Sequence, residues 1–108
     1  MFVTKQYRKG KAIIRQGTHG TSAFILKKGK VEVSRVDEKG EKKVLTILKE
    51  NDLFGEMAMV SNKPRTASVI ALEECEVAIL TREKFLALPD DNPAVLRIKK
   101  IMGQRTKS

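Results

Sequence analysis

The chain has no tryptophan, one cysteine, one histidine and three prolines, and aromatic residues fill only 5% of its 108 positions. Each shortage removes a class of protein. The lone cysteine, Cys75, closes no internal disulfide, and its setting in "CEVAIL" reads as a small buried apolar residue, not a reactive thiol. The lone histidine, His19, cannot assemble a multi-histidine metal centre, and no CxxC pair supplies thiolates in its place. A Cys75–His19 nucleophile pair is excluded in the same way, because the thiol reads as buried and no third residue is marked to orient the imidazole. "GTHGTS" has glycines but no following lysine and no strand running into a helix, so it is not a phosphate-binding P-loop. His19 is therefore expected as an exposed loop residue. No enzymatic activity, catalytic residue, metal site or bound cofactor is expected.

No apolar run approaches the length needed to cross a bilayer, and the N-terminal residues show neither an export-type apolar segment nor a small-residue cleavage site. These features predict a cytoplasmic protein without a membrane span. Acidic residues are scarce in one half only. Residues 1–50 hold thirteen Lys or Arg against five Asp or Glu, whereas residues 51–108 hold nine against eight, so the first half carries +8 of the net +9. The basic residues alternate singly with apolar ones (Lys28, Lys30, Arg35, Lys39, Lys43) and lack an aromatic stacking platform. They predict a solvated strand face, with nucleic-acid binding ranked third among the functions weighed.

What the chain does contain is short apolar stretches broken by turn residues. "AII", "AFIL", "VEVSRV", "VLTIL", "ASVIAL" and "CEVAIL" read as strands between residues 12 and 80, punctuated by Gly10, Gly17, Gly20, Gly29, Gly40 and Gly55. Turns spaced by about ten residues predict an antiparallel sandwich or barrel. "VDEKGEKK" is a hairpin turn with Gly40 available for positive φ. After Leu80 the period becomes helical. Thr81 is an N-cap for "REKFLAL", which Pro89 stops. A second helix of about three turns begins near Asn92 with Pro93 in its first turn, and Val95, Ile98, Ile101 and Met102 form its apolar stripe. From Gly103 onward the chain is expected to fray. The whole of 1–108 reads as one domain, with strands over about 1–80 and C-terminal helices over about 81–104.

The stretch "FGEMAMVSNKPRTASV", residues 54–69, carries the chemistry. "GEMAMV" suits one or two helical turns, whose first N–H groups lack intrahelical partners and suit an anion. Gly55 permits close approach of backbone to a ligand. Pro64 precedes Arg65, whose planar fork matches phosphate oxygens. Glu56 would be repelled by that anion unless it met a donor of its own, and a ribose hydroxyl is such a donor. One ligand then explains both charges. The competing explanation is a Glu56–Arg65 surface ion pair, worth at most about 1 kcal/mol.

These residues carry a resemblance that runs over nearly the whole chain. "GKAIIRQGTHGTSAFILKKGKVEV", "VLTIL", "NDLFGEMAM" and "PRTASV", followed by two helices, resemble the cyclic nucleotide-binding domain of catabolite activator-type transcription factors, cyclic-nucleotide-dependent kinase subunits and gated channels. The "FGEMA" and "PRTAS" elements, with their separation, match that family's phosphate-binding cassette. The resemblance implies a mainly β fold, an antiparallel jelly-roll β-sandwich with a short cassette helix and two C-terminal helices. It further implies a non-enzymatic sensor of cAMP, or of cGMP, that transmits occupancy through its C-terminal helices. The implied ligand site is Phe54, Gly55, Glu56, Met57, Ala58, Arg65, Thr66 and Ala67. Within it Arg65 takes the cyclic phosphate, Glu56 the ribose 2′-hydroxyl, and backbone N–H groups of Gly55, Met57, Ala58 and Ala67 lie near the same anion. Val33 and Leu45 are implied as the lining of the base pocket, and Thr66 as a hydroxyl able to reach a guanine amino group.

Three departures accompany the resemblance. Asn51 stands where the family has glycine, and Asn visits the left-handed region readily. Thr18 and Thr21 replace acids of the "G-D-x-G-D" turn. No helix-turn-helix, kinase or channel segment follows the cassette, which leaves the effector unnamed and allows a homodimer through the C-terminal helix. A stand-alone sensor, a subunit acting in trans and a piece of a larger protein remain open. The alternative function is a degenerate jelly roll that binds protein and no nucleotide.

Overall fold

The computed structural model describes residues 3–106, with the side chains of Ala94 and of residues 103–106 outside that description. Eight strands come first: β1 Val3–Tyr7, β2 Ala12–Ile14, β3 Ala23–Lys28, β4 Val31–Val36, β5 Lys42–Leu48, β6 Leu53–Phe54, β7 Ser68–Ala71 and β8 Cys75–Leu80. A single 3₁₀ turn, Glu56–Met59, interrupts them, and the helices α1 Arg82–Leu86 and α2 Pro93–Thr106 follow. The strands form two four-stranded sheets, ordered β1-β8-β3-β6 and β2-β7-β4-β5, with every pairing antiparallel. Eight strands divided four and four between two facing sheets make the sandwich that the turn spacing predicts and the jelly roll that the resemblance implies.

Period-two alternation sorts the central strands between two cores. Phe24 and Leu26 of β3 join Cys75 and Val77 of β8, Val31 of β4 and Val69 and Ala71 of β7 between the sheets. Ala23 and Leu80 point the other way, into a second cluster with Met59, Val60, Phe85, Val95, Ile98 and Met102. The α2 stripe thus covers the outer face of the first sheet. That use leaves Leu96 as the large exposed hydrophobic residue of α2 among the described side chains.

The turns follow their local chemistry. In the β4–β5 hairpin the Asp37 carboxylate accepts from the N–H groups of Lys39 and Glu41, both at 2.9 Å, and Gly40 takes φ 82°. Asn51, the one non-glycine with positive φ among the described residues, sits at φ 76° and donates its N–H to Leu26 O at 2.7 Å. The Thr81 hydroxyl caps α1 by accepting from the Lys84 N–H. Pro93 opens α2, where the Asn92 side chain faces the Val95 N–H.

Three elements differ from the sequence reading, the first being the two-residue strand β6, too short to show an alternation. β1 pairs with β8 from Val3↔Ile79 to Tyr7↔Cys75, yet "VTKQY" shows no apolar face because four of its five residues are exposed at a sheet edge. α2 spans fourteen residues, about four turns, and continues through Gly103 to Thr106. One glycine costs a helix interior only about 1 kcal/mol, which the buried Val95, Ile98 and Met102 side chains offset. The expected fraying of Lys107 and Ser108 lies outside the described residues.

Two predictions follow from this packing. Phe85 is fully buried and the adjacent Leu86 is 49% exposed, so Phe85→Ala should cost about 3–5 kcal/mol in urea unfolding and Leu86→Ala no more than about 0.5 kcal/mol. Burial raises the pKa of the Cys75 thiol, although its Sγ hydrogen-bonds to Lys30 O and Glu73 O, each at 3.2 Å. The native thiol should therefore resist iodoacetamide at pH 8 until the protein unfolds. The unfolded thiol ionises at lower pH than the folded one, so its contribution to stability is complete below the ordinary thiol value and declines as pH rises above it. Cys75→Ala should remove that decline in a series of unfolding curves.

Candidate functional site

Arg65 lies on the segment between the 3₁₀ turn and β7, and the loop between β2 and β3, which enters its sheet beside the end of β6, holds it in place. Its backbone N–H donates to Thr18 O at 2.7 Å, and its own carbonyl accepts from Gly17 N–H at 2.8 Å. Its guanidinium donates through Nη2 to Ser22 O and through Nη1 to Gly55 O, both at 3.0 Å. The Phe24 ring lies 5.9 Å from Cζ, within the range of a cation–π contact, and itself stacks on Phe54 at 5.3 Å. The two carbonyls and the ring aim the guanidinium by neutral partners only. Burial lowers its pKa from the ordinary value, but a guanidinium so far above neutrality stays charged.

Gly55 makes this arrangement possible. Its φ is 73°, in the left-handed region, and a Cβ there would stand 2.9 Å from Ile14 Cδ1 and 3.0 Å from Arg65 Nη1. The tight turn that follows leaves its first N–H groups without intrahelical partners. Glu56 is half-buried in that turn. It forms no ion pair with Arg65, since the ion pairs among the described residues are Lys42–Glu32, Lys43–Asp37 and Lys99–Asp90. The surface ion pair weighed as the competing explanation is thus not formed. A cation with unspent N–H groups and a carboxylate that accepts no hydrogen bond from the described side chains stand apart in one site.

Both line a cavity of about 710 Å³ between the inner face of the β2-β7-β4-β5 sheet, the cassette and α2. Phe54, Gly55, Glu56, Met57, Ala58, Arg65, Thr66, Ala67 and Val33 all line it. Leu45 does not, and this corrects the sequence reading: it is 52% exposed. The cause is a register shift. Ser34 pairs with Val44 and Val33 with Thr46, which leaves Leu45 as the extra residue of a bulge. Thr46 and Leu48 line the cavity in its place, and alternation counted back from the half-buried Leu48 would have indicated Thr46. Lys63 and Ile101 also line it. Ile101 belonged to the stripe read from α2, but nothing local in the sequence marked Lys63.

The cassette is bolted to the helices as well. Arg82 Nη2 donates to Met59 O at 3.2 Å, and Met59 and Val60 are buried with Phe85, Val95 and Ile98. Lys99 Nζ bonds Leu88 O at 2.5 Å and Asp90 Oδ1 at 2.6 Å, fixing α2 to the segment after α1. His19 is exposed and lines a second cavity of about 250 Å³ with Arg15 and Thr18, and Ile14 and Arg65 border both cavities. Among the described residues no three His, Cys, Asp or Glu side chains gather in a way that could hold a metal ion. No described helix is long and apolar enough to cross a membrane.

With this geometry in hand, the chain can be set beside known proteins. The family model for the cyclic nucleotide-binding domain matches residues 4–92. The cyclic AMP receptor protein of Thermus thermophilus is 37% identical over 87 residues, covering 81% of this chain and 40% of that protein. Human cGMP-dependent protein kinase 2 is 42% identical over 82 residues, covering 73% of this chain and 11% of the kinase. Among solved structures, the regulatory domain of Toxoplasma gondii PKA with cAMP superposes with a TM-score of 0.72 at 30% identity, covering 83% of this chain and 34% of that one. The chain therefore spans less than half the length of each of these relatives. Matched over most of its length in sequence and in fold, the chain belongs to the cyclic nucleotide-binding domain family.

Proposed function

We propose that the 710 Å³ cavity takes a purine 3′,5′-cyclic nucleotide, cAMP in the first place and cGMP in the second, and that the domain is a non-enzymatic sensor of cytoplasmic nucleotide. The observation that carries this reading is the separation of charges in the site. Arg65 is aimed by backbone carbonyls, with N–H groups left over and no carboxylate beside it, while Glu56 shares the cavity without a donor. A cyclic diester carries one anion next to a ribose hydroxyl, and so satisfies the donor and the acceptor together. The apolar walls, Val33, Leu48, Val69 and Ile101, suit the faces of a purine, and Thr66, which also lines the cavity, carries a hydroxyl that would favour a guanine amino group. The relatives whose names specify a nucleotide include both kinds.

Transmission runs through the cassette into the helices in this reading. A ligand that draws the 3₁₀ turn toward its phosphate pulls on Met59, whose carbonyl is held by Arg82 and whose side chain packs against α1 and α2. A ligand shifts such an equilibrium only by its differential affinity for the two arrangements. The helices are then the surface that an effector reads. The α2 stripe is spent on its own domain, so a homodimer through this helix would build on exposed positions such as Leu96.

Calorimetric titration with cAMP and cGMP tests the reading. Arg65→Ala should weaken binding about 100-fold, through loss of the paired hydrogen bonds to the phosphate, and Glu56→Ala about tenfold, through loss of one hydrogen bond from the ribose hydroxyl. Thr66→Ala should weaken cGMP more than cAMP. If millimolar concentrations of both nucleotides leave the wild-type melting temperature unmoved, the sensor reading fails and the protein-interaction module takes its place.

A further inference from the structure

The Arg65 guanidinium sits in a slot between two glycines. A Cβ on Gly55 would stand 3.0 Å from Nη1, and a Cβ on Gly20 would stand 2.7 Å from Nη2, 3.2 Å from Nε and 3.3 Å from Cζ. The two glycines answer different demands. Gly55 has φ 73°, so any side chain there is strained, and its Cβ would also strike Ile14. Gly20 is outside the left-handed region, unlike Gly10, Gly17, Gly29, Gly40 and Gly55. Alanine would fit its backbone, and all three of the nearest atoms a Cβ would meet belong to Arg65. Gly20 is exposed, so packing does not exclude a methyl group either. The guanidinium supplies the three closest obstacles to a side chain at this position.

We propose that Gly20 is a positioning residue for Arg65. Its missing side chain leaves the space in which Nη2 reaches Ser22 O, and this sets the angle at which the remaining N–H groups face the cavity. The assignment of a ligand consequence rests on the cyclic nucleotide reading above. In Gly20→Ala the flexible tip of Arg65 yields before the backbone does, so the protein folds with its guanidinium displaced. The directional hydrogen bonds to a diester are then lost, and affinity falls about 10- to 100-fold.

The test compares wild type, Gly20→Ala, Arg65→Ala and the double variant. Titration with cAMP and cGMP reads affinity. Thermal unfolding and the Arg65 Nε–Hε resonance of the ligand-free proteins read the slot directly. Gly20→Ala should lose affinity and shift that resonance, and any fall in melting temperature should vanish in the Arg65→Ala background, where the obstructed atoms are gone. Gly10→Ala is the control: with φ 88° and open space around it, it should lower the melting temperature without changing affinity. Unchanged affinity in Gly20→Ala, or an equal fall in melting temperature with and without the Arg65 side chain, overturns the assignment. If wild type binds neither nucleotide, the sensor reading fails, while the unfolding comparison and the resonance still decide whether Gly20 shapes the slot.

Discussion

Four hydrogen bonds tie Arg65 to two other segments of the chain: two through its backbone to Gly17 and Thr18, and two through its guanidinium to Ser22 and Gly55. The rest of the site depends on this tie. It fixes the end of the cassette against the loop between β2 and β3, and it fixes the head group in the same stroke. The partners are carbonyl oxygens, which orient a cation without cancelling its charge. Holding a partly buried cation without a counter-ion costs solvation free energy, and the lowered Arg65 pKa records that cost. The two carbonyls and the Phe24 ring offset part of it. An ion pair with Glu56 would have offset more, at the expense of the charge that an anion would seek.

The same tie explains the division of labour among the cassette's small residues. Gly55 must turn in the left-handed region and stay clear of the guanidinium at once. The two glycines that face Arg65 therefore belong to different classes, one demanded by the backbone and one by the side chain between them. On the far side, Met59 and Val60 anchor the cassette in the cluster beneath α1 and α2. The cassette thus lines the cavity at one end and is buried beneath the helices at the other.

Much of this was legible in one dimension. Six of the seven strands between residues 12 and 80 were visible because a buried face at period two writes itself into the order of residues, and β6, with two residues, is too short to show it. The caps of α1 and α2 and the turns at Gly40 and Asn51 were visible because their chemistry is local. The cassette could be read for the same reason: a glycine, a carboxylate and a proline-preceded arginine each declare their bonding capacity wherever they stand. β1 was not legible, because an edge strand exposed on both faces has no pattern to show. Leu45 was placed in the cavity by the resemblance alone; alternation counted back from Leu48 favours Thr46, and the bulge that leaves Leu45 without a partner exists only in the pairing of β4 with β5.

The order of residues was enough for the inventory: the alternations and turns of an antiparallel sandwich or barrel, one candidate anion-binding arginine, one acceptor-only carboxylate, and two helices with an apolar stripe to bury. Only the tertiary structure decided that the arginine and the carboxylate face one cavity without meeting each other. Only it showed that Gly20 borders a guanidinium 45 positions away in the chain. The physical reason is range. Capping, turn chemistry and periodicity act between near neighbours, whereas a guanidinium's partners and the side of a strand that faces a cavity are set by sheet register, which no single segment contains.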